Sequence, residues 1–136
     1  MYGEAVVFFD RELCRDFKYR RKQGMQLASK MRYIASQFSA FLEGDLWKSN
    51  ALHANLMAQK LHQAVKDIPG VKVTRKVESN AVFAIIPEEI IAELQESFFF
   101  YVWDEETSEV RWMCSFDTTE ADIEGFAKLL KSMLRA

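Results

Sequence analysis

The sequence predicts an α+β fold, and three observations carry that reading. Its first half holds long stretches with apolar residues at three- and four-residue steps. The period changes abruptly after Pro69-Gly70 to alternation, and an antiparallel hairpin near Asp104–Glu109 is followed by one last amphipathic helix. Helical and extended segments grouped in this way imply a small antiparallel sheet covered on one side by helices.

Taken in order, Gly3–Phe9 is a continuous apolar run, predicting a strand suited to burial on both faces. From Arg11 a short helix is expected to about Lys22, ended at Gly24. A longer helix follows through Leu27, Met31, Ile34, Phe38, Phe41, Leu42 and Leu46, broken near Gly44-Asp45. The next carries Leu52, Leu56, Leu61, Val65 and Ile68 and stops at Pro69-Gly70. Val71–Thr74 alternates, and 81–86 is a second strand-like run. Pro87 opens a helix from Glu88 to about Gln95, with acidic residues in the first turn where the helix dipole favours them. Phe98–Trp103 and Val110–Phe116 flank the hairpin turn. Thr119 with Asp122 resembles a capping box, and Ile123, Phe126, Leu130 and Leu134 line the last helix.

The chain has 136 residues, 49% of them hydrophobic, with 2 Pro and 5 Gly, enough to bury a core without a disordered tail. Its net charge of -2 offers no electrostatic footprint for nucleic acid, and Arg20-Arg21-Lys22 reads as a solvated helix face. Cys14 and Cys114 are isolated, which disfavours structural zinc and a disulfide scaffold. No apolar run is long enough to predict a membrane span, and a reduced, cytoplasmic setting is the default expectation.

Arg111 is the most suggestive single residue. Alternation puts it with Met113 on one face of its strand, and Val110 with Trp112 on the other. A strand-held guanidinium can offer a planar fork to a carboxylate. Spacing alone favours a plainer reading, a surface arginine paired with Glu109 or Asp104. His53 and His62, nine residues apart on one helix, lack the spacing of a metal pair, and no metal ligands are assigned. Cys114 shares a face with Trp112 and reads as a small buried residue. Lys22, Gln23, Gly24 and Gln26 make a polar break that reads as a helix-helix turn or, with Lys30 and Arg32 behind it, as a place to meet an anion.

Three segments resemble the threonine aldolase and aromatic amino acid β-eliminating lyase family of fold-type I pyridoxal-phosphate (PLP) enzymes: GEAVVFF at Gly3–Phe9, YRRKQGMQLASKMR at Tyr19–Arg32 and FFFYVWDEETSEVRWMCSFDTTE at Phe98–Glu120. The resemblance is strongest to its low-specificity L-threonine aldolase branch. It implies the small C-terminal domain of such an enzyme over residues 11–136, preceded in residues 1–10 by the last strand of a truncated large domain. In the family the Schiff-base lysine lies just upstream of the GEAVVFF strand. The resemblance thus implies no catalytic residue here, a cofactor held mainly elsewhere, and a chain inactive alone. Met1-Tyr2 would be the remnant of the loop that follows that lysine.

The same resemblance implies a lyase of amino acid metabolism, cleaving L-threonine or L-allo-threonine to glycine and acetaldehyde, in a homodimer or homotetramer. Arg111 matches the C-terminal-domain arginine that holds the substrate carboxylate, and Lys22 and Arg32 match basic residues that approach the cofactor. Many relatives carry glycine where Met25 stands and threonine where Cys114 stands. The alternatives are β-elimination on an aromatic amino acid, or a non-catalytic binding or assembly module. Neither nucleic acid nor membrane is an expected partner.

Overall fold

In the computed structural model residues 3–135 are described, and they form two compact units, 3–47 and 48–135. Met1 and Tyr2, expected as a loop remnant, lie outside the described residues.

The first unit holds helix α1 (Phe17–Gln23), helix α2 (Met31–Leu42) and a tight turn at Glu43–Asp45, where Gly44 takes a φ of 60°. Gly3–Phe9, expected as a strand, joins no ladder, and most of its side chains are exposed. The apolar run signalled burial, but a strand also needs a neighbour for its N–H and C=O groups, and none of the described strands pairs with it. Gly3 lies so close to α2 that a Cβ there would stand 2.8 Å from Ile34 Cγ2. Helix α1 begins six residues later than expected, because 11–16 forms turns instead. Helix α2 likewise starts at Met31 rather than near Leu27, behind Lys30 in a left-handed conformation. Met25 is left-handed as well, with φ 55°. Glycine enters that region without the Cβ clash that opposes other residues.

The second unit contains most of helix α3 (Leu46–Val65), then β1 (Lys72–Val73), β2 (Ala81–Ile85), α4 (Glu88–Ser97), β3 (Tyr101–Asp104), β4 (Glu109–Met113) and α5 (Glu120–Met133). The four strands form one antiparallel sheet in the order β1-β2-β4-β3. One sheet face packs on the helices through Val82, Ala84, Val110 and Trp112, which join Leu61, Val65, Leu94, Phe126 and Leu130 in a continuous core. The capping box opens α5 as expected: Asp122 N–H donates to Thr119 Oγ1, and Thr119 N–H donates to Asp122. Lys60 on α3 reaches Glu120 on α5 at 2.6 Å. Helix α3 ends at Val65, short of the Pro69-Gly70 stop, and Gly70 turns the chain with a φ of 91°. Among the described residues no helix is long and apolar enough to cross a membrane.

Candidate functional site

Within the second unit the helices pack on one side of the sheet, so every second strand residue faces the other way. On that open face Arg111 stands opposite Phe83 of β2 and Tyr101 of β3. Alternation had placed Arg111 with Met113, and the buried Val110 and Trp112 turn to the helices as expected.

The register between β3 and β4 slips by one after Val102, leaving Trp103 as the extra residue of a bulge. Bulges twist a strand locally and re-aim a side chain. Here the indole of Trp103 meets the Phe83 ring edge-on at 5.4 Å. The guanidinium of Arg111 lies 4.8 Å from the Trp103 ring centre and 5.4 Å from that of Tyr101. Two aromatic faces thus fix the arginine by cation–π attraction. Its Nε is buried and has no hydrogen-bond partner. Such an orphaned donor is uncommon in a folded protein.

The plainer reading, an ion pair to Glu109 or Asp104, is not what the structure holds. Glu109, only 7% exposed, is taken from both sides: Arg75 Nη2 donates to one carboxylate oxygen at 2.7 Å, and the Thr74 hydroxyl donates to the other. Arg75 also stacks on Phe83 at 4.1 Å. No carboxylate among the described residues forms an ion pair with Arg111. Sequence reasoning missed Arg75, Phe83 and Trp103. The aromatic-rich strand around Trp103 was a usable signal, whereas Arg75 lies 34 residues from the carboxylate it holds and left none.

Near the helix side, a cleft of about 290 Å³ opens between Phe98, Phe100, Trp112 and Phe126, with Asp117 and Asp122 among its polar residues. Cys114 also lines it, and burial pushes its thiol up to about 11, so it stays protonated at neutral pH. His53 Nε2 lies 2.8 Å from the Thr118 carbonyl, a contact within the domain. Among the described residues no cluster of His, Cys, Asp or Glu is placed to hold a metal ion.

Lys22 and Arg32 both fall in the first unit, in the last turn of α1 and the first turn of α2. Both are exposed, and Arg32 leans over the Tyr33 ring at 5.2 Å.

No protein-family model matches the chain. Two curated proteins match it over nearly its whole length. A low-specificity L-threonine aldolase of a Pseudomonas species is 40% identical over 134 residues, or 98% of this chain. One of Pseudomonas aeruginosa is 42% identical over 132 residues, or 96% of it. By sequence, the chain is similar to part of these low-specificity L-threonine aldolases.

The chain spans only about two fifths of those relatives, 39% and 37% of their lengths. A solved Leishmania major threonine aldolase agrees in three dimensions, with a TM-score of 0.62 and 27% identity over 72% of this chain and 29% of that one. The α+β fold expected from the sequence, a small antiparallel sheet with helices on one side, is the observed one, and it is similar to part of that threonine aldolase.

Proposed function

We propose that this chain is the C-terminal part of a pyridoxal-phosphate-dependent threonine aldolase, and that Arg111 holds the substrate carboxylate. The intact enzyme would cleave the Cα–Cβ bond of L-threonine or L-allo-threonine, giving glycine and acetaldehyde. One observation carries the role of Arg111. Its guanidinium is held between aromatic rings, has a buried donor without a partner, and meets no carboxylate of its own domain. A fork held in this way can take a substrate carboxylate in one orientation, and orientation decides which bond at Cα breaks.

The described residues alone do not fit the cofactor. Carboxylates, not cations, furnish the charge of the cleft beside the core, and Lys22 and Arg32 stand exposed in the other unit. The proposed cofactor site, with its lysine, belongs to the length of the relatives that this chain does not span. The first unit supports that arrangement. None of its described residues is buried, and Val7, Phe9 and Leu13 are 72%, 99% and 73% exposed. So much apolar surface fits a face covered by the rest of a larger, oligomeric protein.

The test is steady-state kinetics of the intact aldolase with Arg111→Lys and Arg111→Ala. Both should raise KM for threonine by about tenfold or more, lysine included, because a point charge cannot reproduce the fork. An unchanged KM would overturn the assignment. Mixed with pyridoxal phosphate, the chain on its own should develop no more visible absorbance than an unrelated protein. A stoichiometric absorbing complex would refute the proposal that the lysine lies elsewhere.

A further inference from the structure

On the open sheet face, Glu109 and Arg111 sit two residues apart on one strand, side chains toward the same side. Their Cα atoms are thus about 6.6 Å apart, within reach of a long-chain ion pair. Arg111 nevertheless keeps no carboxylate partner, although Glu109 is its nearest candidate in the strand. Thr74 and Arg75 explain this. They enter from the segment after β1 and occupy one oxygen each of the Glu109 carboxylate, while Arg75 is steadied by its stacking on Phe83. A carboxylate with both oxygens engaged and its residue 7% exposed is not free to swing toward a second guanidinium.

We infer that Arg75, helped by Thr74, is a positioning residue that keeps Glu109 from closing onto Arg111, so that the Arg111 fork stays open for an external carboxylate. This rests on the role proposed for Arg111 above. Arg75 and Arg111 flank Glu109 on this face, whereas Asp104, opposite Glu109 in the register, accepts from the Glu106 N–H of its own turn. If Arg75 is removed, Glu109 loses its ion pair and the nearest remaining cation is Arg111. Capture would neutralise the fork in the substrate-free enzyme, and substrate would then have to displace an intramolecular competitor. Such competition weakens binding and leaves the reaction of bound substrate largely intact.

The experiment uses the intact aldolase carrying Arg75→Met, Arg75→Lys, Glu109→Gln and the Arg75→Met/Glu109→Gln pair. Arg75→Met should raise KM for threonine about tenfold with kcat within about threefold. Arg75→Lys should keep KM near wild type, because the single contact to Glu109 needs a charge rather than a fork. The double variant should recover KM to within about threefold of wild type, since a glutamine side chain in place of Glu109 has no charge to offer Arg111. If the double variant binds as poorly as Arg75→Met, Arg75 acts only through packing and the inference fails.

A second readout separates this inference from the assignment of Arg111 to substrate. The side-chain ¹⁵Nε NMR signal of Arg111 should shift in Arg75→Met and return in the double variant, whether or not Arg111 ever meets threonine. An Arg111 signal that ignores Arg75→Met overturns the inference. Unchanged KM in Arg111→Ala, with the NMR shift present, overturns the substrate assignment instead.

Discussion

The guanidinium of Arg111 is stacked against the indole of Trp103 at 4.8 Å, and Trp103 is in that position because β3 carries one residue more than β4 needs. A bulge and a cation–π contact thus act together on a single side chain. Trp103 is 49% exposed, so its replacement should barely alter stability while loosening Arg111. On the role proposed for Arg111, Trp103→Leu should raise KM for threonine several-fold in an intact aldolase, and Trp103→Phe, which keeps a ring, by less. Equal effects from both would show that the ring is not what holds the arginine.

Apolar content alone does not decide stability; burial does. Leu94 of α4 is fully enclosed in the core, and Leu94→Ala should cost about 2–5 kcal/mol in urea unfolding. Val7, in a run just as apolar, is 72% exposed, and Val7→Ala should stay within about 0.5 kcal/mol. A large loss at Val7 in the isolated chain would mean that residues 3–8 are buried after all.

Met25 occupies a backbone conformation that suits glycine, with φ 55° and a side chain 88% exposed. Met25→Gly relieves the Cβ clash and forfeits almost no packing. It should raise stability by up to about 1 kcal/mol, partly offset by the freer unfolded chain. A clear loss, read from the urea midpoint, would show that the Met25 side chain has a partner.

The start of α5 titrates. Hydrogen bonds from Thr119 hold the Asp122 carboxyl below its ordinary value of 3.8. The folded-state pKa is therefore below the unfolded one. The stabilisation is complete above pH 3.8 and is lost as pH falls through the depressed value. Asp122→Asn should be less stable than wild type at pH 7, and the gap in melting temperature should close under acid. A gap that persists at pH 2 would assign the effect to something other than charge.

How far the fold could be read in advance follows from how local each signal is. The capping box at Thr119, the turn at Gly70 and the facing of Arg111 away from Trp112 all depend on neighbours a few residues apart and were legible, although α3 ends at Val65, before that turn. Gly3–Phe9 misled because burial and strand pairing are separate requirements, and hydrophobicity reports only the first. The late starts of α1 and α2 follow from turns at 11–16 and a left-handed Lys30, which helical periodicity does not encode. The Trp103 bulge and the Arg75–Glu109 pair exist only once β1, β2, β3 and β4 are side by side, so neither could be read from spacing.

The strand order has a consequence in time. Strand β4 lies between β2 and β3; β1 and β2 join across 74–80, and β3 and β4 across the shorter turn 105–108. The longer β2–β4 ladder can zip up only after α4 and β3 have folded back over it, a loop closure that short-range propensity does not assist. The hairpin is therefore the natural nucleus and docking of β2 the slow event. Substitutions such as Val82→Ala should then hasten unfolding more than they slow refolding in stopped-flow chevrons, whereas Val110→Ala in the hairpin should slow refolding. The reverse pattern would place the central ladder in the nucleus.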